Sequence, residues 1–338
     1  MHATSNDASF LDYVTQLNQR FGQLLEELIA SRVPRDAAQS GTLAAMTWYH
    51  LSTGGKRLRA MVPLALAEAY GIDPRECLPL SAAAEILHNA TLVHDDLQDG
   101  DSVRRGQPTV WKRYGDAQSI NCGDAMFFYG IQLLETLAPD KRLALTALAA
   151  RCLVDVIRGQ NVELLHLGLK DPSEAAYFEI ITGKTGGLFV LPITGAAIIA
   201  NQDQAHCQRT ERIGLLLGQI FQVRDDLLDL IGDKGRNRIG CDIAEGKLSL
   251  PVVYGLSDER AAHAARLKEI VVKPREATDD EMIAEAIEIL TAGGAIARAQ
   301  AKLNELKSTL ADELEQISPP QVATRLEQLG AHFSERTA

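Results

Sequence analysis

A chain of 338 residues that is 46% apolar has ample material for a large core, and with aromatics at only 5% its composition is that of packed helices rather than of a β-sandwich. A formal net charge of −11 repels nucleic acid and anionic lipid headgroups, so any anion site has to be built locally from a few basic side chains. The five cysteines, Cys77, Cys122, Cys152, Cys207 and Cys241, are odd in number and lack CxxC spacing, which predicts reduced thiols, no disulfide and no zinc site.

The opening MHATSNDASFLDYV carries neither a basic region nor an apolar core of the secretory type. No apolar run approaches the roughly 18 residues of a membrane span, so a cytoplasmic protein without a membrane anchor is expected. Phe10, Leu11, Val14, Leu17, Phe21, Leu24, Leu25 and Leu28 recur at threes and fours, which predicts an amphipathic helix from about 8 to 31, ending before Pro34. A helix over about 57–70 stops at Gly71, and Pro74 opens a segment that runs on alanine and leucine steps into an acidic stretch at 95. Further helices are expected at about 117–137, 141–169, 173–202, 205–231, 247–258, 278–292 and 295–335. Thr278 with Glu281 has the form of a capping box, and Pro319 and Pro320 divide the last segment. With no linker, low-complexity tract or sustained β alternation, the simplest architecture is one all-α domain over residues 1–338, a bundle of about ten or more helices around a central cavity.

Two acidic clusters share one spacing. Asp95, Asp96 and Asp99 in LVHDDLQDGDSVRRG are repeated as Asp225, Asp226 and Asp229 in FQVRDDLLDL. Residues i and i+4 share a helix face, so Asp95 with Asp99, and Asp225 with Asp229, each form a two-carboxylate clamp. Like charges at this spacing destabilise a helix by about 0.2–0.5 kcal/mol unless a cation lies between them. Mg2+ fits, because it takes one or two carboxylates and completes its octahedron with water and phosphate oxygens. A calcium loop does not, since Leu97 falls where an oxygen is required.

Basic residues supply the complementary anion sites. GGKRLR places Lys56, Arg57 and Arg59 at a glycine-rich helix entry, and Arg104 and Arg105 follow Asp99 by five and six residues. Lys184 and Thr185 lie in TGKTGG, which fails as a nucleotide-binding loop because the upstream glycine is missing, and they offer instead a charge and a hydroxyl to a phosphate.

These segments, GGKRLRA, ILHNATLVHDDLQDGDSVRRGQPTVW, NCGDAMF, ITGKTGGLF, GQIFQVRDDLLD and DIAEGKLSLPV, resemble in sequence and order the trans-polyprenyl diphosphate synthases, head-to-tail prenyltransferases, over almost the whole chain. The resemblance implies the isoprenoid synthase fold, a homodimer and a Mg2+ cluster on the allylic diphosphate, with Asp95, Asp99, Asp225, Asp226 and Asp229 as metal ligands. It implies that catalysis depends on Asp95, Asp96, Asp99, Lys184 and Asp225. Lys56, Arg59, His88 and Arg105 resemble the isopentenyl diphosphate site. Arg104, Lys184, Thr185, Gln222 and Lys247 resemble the allylic diphosphate site, and Arg336 the family's terminal arginine. At Asn237, between Arg236 and Arg238, the chain departs from the lysine that many members carry.

The implied reaction ionises the allylic C–O bond, joins the cation to the double bond of isopentenyl diphosphate, and releases a proton to give a linear all-trans prenyl diphosphate. A class I terpene cyclase handles one diphosphate and leaves Lys56, Arg59, His88 and Arg105 without a task. A non-catalytic partner subunit usually loses acids that are intact here. Small residues at Ala90 and Thr91, followed by Leu87 and Ala84 on the same face, leave room for a growing tail. Eleven helical residues span about 16 Å, enough for roughly three isoprene units of about 5 Å beyond the reacting one, which points to twenty carbons, a geranylgeranyl diphosphate synthase. Farnesyl and longer products remain the alternatives. Phe127 and Phe128 are candidates for the tunnel floor, with plain core aromatics as the other reading.

Overall fold

The computed structural model describes residues 7–35, 41–166, 173–231, 239–258 and 260–334. Among the described residues the protein is all-α, as its composition predicts, apart from one two-stranded hairpin. The chain groups into two compact units, Met1–Arg151 with Leu191–Thr210, and Cys152–Val190 with Glu211–Ala338.

The first unit contains α1 (Asp7–Ala30), α2 (Leu43–Ser52), α3 (Leu58–Tyr70), α4 (Leu78–Gln98), the strands β1 (Val103–Arg104) and β2 (Gln107–Pro108), α5 (Val110–Tyr114) and α6 (Asp116–Leu134). Phe10, Val14, Leu17, Phe21 and Leu25 form the buried stripe of α1, which packs on α3 and α4. Gly71 ends α3 in the left-handed conformation, and a 3-10 turn at Pro74–Cys77 leads into α4. The main partner of α4 is α6. Their contact is close because α6 has glycine where α4 presents bulk: a Cβ at Gly130 would stand 2.5 Å from Leu87 Cδ2, and one at Gly123 would meet His94.

The chain passes between the units within α7 (Pro139–His166), α9 (Gly187–Ile199) and α10 (Gln204–Ile231). In the second unit α8 (Glu174–Ile181) continues through a π-helical turn, Thr182–Gly186, into α9. There follow α11 (Cys241–Ala244), α12 (Leu250–Leu256), α13 (Ala261–Val271), α14 (Asp280–Ala292), α15 (Ala295–Leu314) and α16 (Pro320–Ser334). Phe189, Phe221 and Phe333 pack as a trio with ring centroids 5.0–5.9 Å apart and anchor α16.

Three expectations are revised. The cap of α14 is Asp279, which accepts the Met282 N–H, while Thr278 turns its hydroxyl back to the Pro274 carbonyl. The helix expected over 247–258 is confined to Leu250–Leu256, since Lys247 and Ser249 precede its first turn. Among the described residues one helical stretch, Glu174–Ile199, is long and apolar enough to cross a membrane, but 78% of its most apolar window is buried inside the protein, as in a core helix.

Candidate active site

In the first unit the segments carrying Lys56, Arg59, His88 and Arg105 come together at the start of α3. Gly54 and Gly55 take φ of +97° and +140°, and Arg57 enters the helix left-handed at +49°. Arg57 is tied to Glu26 of α1 at 2.8 Å, a structural employment that holds the Glu26 carboxyl below its ordinary range, and Lys56 is exposed. Arg59 Nη1 lies 3.1 Å from His88 Nε2. Burial, then the charges of Arg59 and Arg105, hold His88 well below its ordinary range, so the ring is neutral. Its Nε2 accepts from the guanidinium, which leaves the proton on Nδ1, and Nδ1 is buried with no hydrogen-bond partner among the described residues. A buried donor beside an arginine is a place for an anionic oxygen.

Arg105 and Gly106, both with positive φ, form the two-residue turn between β1 and β2. The hairpin lays the Arg105 guanidinium against Gly55 and brings Arg104 back to α4, where its Nε and Nη2 contact a single oxygen of Asp96 at 2.7 and 2.6 Å.

The first acidic cluster closes α4, with Asp99 as its cap. The Asp99 N–H donates to the Asp95 carbonyl at 2.8 Å, so helical geometry persists to the end and the two half-buried carboxylates share a face. Asp96 is 1% exposed and faces the other way; burial pushes its carboxyl up, the Arg104 contact pulls it down, and its Oδ2 is buried without a hydrogen-bond partner among the described residues. Negative charge at the C-terminal end of a helix opposes the macrodipole, which a cation corrects. The donor set, carboxylate oxygens alone, is that of a hard ion, and it fits Mg2+. Among the described residues no three His, Cys, Asp or Glu side chains gather closely enough to hold a metal by themselves.

In the second unit the π turn carries Lys184 and Thr185. It is framed by two glycine contacts: a Cβ at Gly159 of α7 would stand 2.2 Å from the Lys184 nitrogen, and one at Gly218 of α10 would stand 2.7 Å from Gly186 Cα. Lys184 Nζ pairs with Glu163 at 2.5 Å, and Lys247 with Glu245 at 2.9 Å. Thr185 donates to Gln222 Oε1 at 3.3 Å, and Gln222 Nε2 donates to Asp226 Oδ1 at 3.0 Å. Asp226 Oδ2 also accepts from the Tyr177 hydroxyl at 2.7 Å and from the Leu250 N–H, the first residue of α12, at 2.9 Å. Burial is the main reason the Asp226 carboxyl is pushed up to about 7, with Asp242 adding to it, and burial with the Asp226 charge keeps the Tyr177 phenol protonated. Asp229, 2% exposed, accepts the Asp242 N–H at 2.9 Å, and its carbonyl accepts from Gly240. Asp226 and Asp229 of the second cluster thus bind the 240–250 segment, while Asp225, which precedes them, is half-buried.

Leu87 and Ala90 are fully buried on α4, and the Thr91 hydroxyl donates to the His88 carbonyl at 2.7 Å. Phe128 is neither tunnel floor nor core aromatic: it is 70% exposed on the outer face of α6, and Phe127 stacks edge-on against His94 at 5.5 Å. What Leu87 meets on α6 is Gly130. Arg236, Asn237, Arg238 and Arg336 lie outside the described residues.

Sequence reasoning missed Tyr177, Glu163, Glu85, Asn89 and His50. Tyr177 stands two helical turns before Lys184, so it had a local signal, while Glu163 sits in the mixed stretch RGQNVELLH and had none. Glu85 accepts from Asn89 on the next turn of α4, beneath the arginines, and its carboxyl is pushed up by burial against the pull of Asn89 and Arg59.

Residues 40–290 match the family model described as polyprenyl synthetase. The chain is 35% identical over 268 residues to a geranylgeranyl diphosphate synthase of Mycobacterium tuberculosis, covering 75% of this chain and 76% of that one. It is 30% identical over 279 residues to an octaprenyl diphosphate synthase of Haemophilus influenzae, covering 81% and 83%. Its fold is similar to the crystal structure of a geranylgeranyl pyrophosphate synthetase from Pyrococcus horikoshii, with a TM-score of 0.87 and 27% identity over 96% of this chain and 98% of that one.

Proposed function

Since the chain belongs to the polyprenyl synthetase family and is a prenyltransferase, we propose that it condenses isopentenyl diphosphate with an allylic diphosphate (dimethylallyl, geranyl or farnesyl) to a linear all-trans product, geranylgeranyl diphosphate. The observation that carries this reading is the buried, unpartnered Nδ1–H of His88 beside Arg59. It belongs to a second anion site, which a cyclase acting on one diphosphate does not need.

Lys56, Arg59, His88 and Arg105 hold isopentenyl diphosphate, and Arg104, Lys184, Thr185, Gln222 and Lys247 hold the allylic substrate. Asp95, Asp99 and Asp225 would hold Mg2+, which when bound would neutralise charge on the diphosphates. Asp226 and Asp229, whose carboxylates accept protein N–H and O–H groups, support the site from behind. Asp96 keeps Arg104 aimed. As the C–O bond breaks, Arg104 and Lys184 stabilise charge on the leaving group, Lys184 exchanging Glu163 for phosphate oxygen. The Thr185 and Gln222 dipoles face the developing cation, and the apolar wall of α4 around Ala90 and Leu87 excludes water and measures the tail. The chain acts as one catalytic domain in the cytoplasm, and the protein is a homodimer. Support for the dimer comes from α6, where two large apolar side chains, Ile120 at 48% and Phe128 at 70%, are exposed.

Incubation with both diphosphates and Mg2+, followed by mass spectrometry, tests the proposal. A linear twenty-carbon diphosphate is expected; a cyclised hydrocarbon or no reaction overturns the reaction, and another length overturns the product alone.

A further inference from the structure

We propose that Tyr177 is a positioning residue for prenyl transfer: by holding Asp226 it sets the orientation of the Gln222 amide, and through it the direction in which the Thr185 hydroxyl points its proton. The inference deepens the proposed function and rests on its placement of Thr185 and Gln222 at the allylic group.

Tyr177 is 1% exposed, so its hydroxyl has no access to water and commits its proton to Asp226 Oδ2, 2.7 Å away. The Leu250 N–H takes the same oxygen, which leaves Oδ1 to Gln222 Nε2 at 3.0 Å. Because Asp226 Oδ1 accepts from Gln222 Nε2, the glutamine turns its NH2 toward Asp226 and its carbonyl toward Thr185. With a carbonyl facing it at 3.3 Å, Thr185 must donate. Its oxygen lone pairs then point away from Gln222, the polarity that stabilises positive charge. A reversed amide would present NH2 to Thr185 and reverse that dipole.

The π turn and α10 approach closely: a Cβ at Gly218 would stand 2.7 Å from Gly186 Cα, so Thr185 and Gln222 are carried by backbones in direct contact. Nothing else among the described hydrogen bonds to Asp226 comes from a side chain outside this relay.

The test is a double-mutant cycle with Tyr177→Phe and Thr185→Val. Tyr177→Phe is expected to lower kcat about tenfold with both KM values within about twofold of wild type, since it disturbs the charge-stabilising dipole and not diphosphate binding. In the double variant kcat should fall no further than in Thr185→Val alone; multiplicative losses would overturn the relay. Gln222→Ala provides a second entry should Tyr177→Phe fail to fold: its loss must likewise be absorbed by Thr185→Val, and independent losses refute the proposal. A crystal structure of Tyr177→Phe supplies a readout independent of turnover. The Gln222 amide is expected to leave Asp226, and an unchanged amide overturns the inference even if the wild-type enzyme proves to make another product.

Discussion

The guanidinium of Arg105 lies so close to the bare Cα of Gly55 that a Cβ built there would stand 2.8 Å from Nη1. Residues fifty apart in the chain are thereby made one surface, and the arginine is steered by the absence of a side chain opposite it. Gly55→Ala would push the guanidinium aside and also place alanine at a φ of +140°, a strain of about 1–2 kcal/mol. We expect KM for isopentenyl diphosphate to rise about tenfold with KM for the allylic substrate unchanged, read from initial rates with each substrate varied in turn. Equal increases in both would show that Gly55 serves folding alone.

His50 lies behind the same arginines. It is 2% exposed, and burial, followed by the charges of Arg104 and Arg105, holds its imidazole down to about 3 from an ordinary 6.5. The unfolded chain binds a proton there below pH 6.5 and the folded chain does not until about pH 3. Stability is therefore lost from this group as pH falls through that window, by at most about 1.4 kcal/mol per pH unit. His50→Gln should lose less stability than wild type between pH 7.5 and pH 5, measured by urea unfolding. Identical losses would mean that His50 is not the group responsible.

Leu87 is packed against Gly130 at the α4–α6 contact and is 1% exposed. Removing its side chain should deepen the tail space at a cost of about 2–5 kcal/mol in stability. Leu87→Ala is expected to give products at least one isoprene unit longer by mass spectrometry. A product of unchanged length would remove Leu87 from the account of chain length.

Phe128 is 70% exposed, so a charge there disturbs no core. Phe128→Glu should halve the mass seen by light scattering, with product length unaffected because the ring does not close the tail space. A wild-type mass equal to that of a single chain would refute the homodimer.

Much of the candidate site was legible because it depends on short-range geometry. The i, i+4 relation of Asp95 to Asp99 is a property of any helix, and the backbone keeps it even at the residue that caps α4. The glycines of GGKR announced an unusual entry to α3, which the φ values of Gly54 and Gly55 bear out. Short elements were harder. The five residues of α5 and the four of α11 are too few to display a helical period, and Asp279 beat Thr278 to the cap of α14 because one residue's shift decides which side chain reaches a free N–H.

By itself, then, the sequence determined the all-α class, the positions of the long helices and the shared spacing of the two aspartate clusters, since composition and helical periodicity act over a few residues at a time. Only the tertiary structure decided the division of labour inside each cluster. Asp96 turns to Arg104 and Asp226 to Tyr177 because a buried carboxylate needs donors, and those donors come from other turns and other helices, eight and forty-nine residues away. The same holds for Phe128, an aromatic in an apolar helix whose outward direction is set by which face of α6 meets α4.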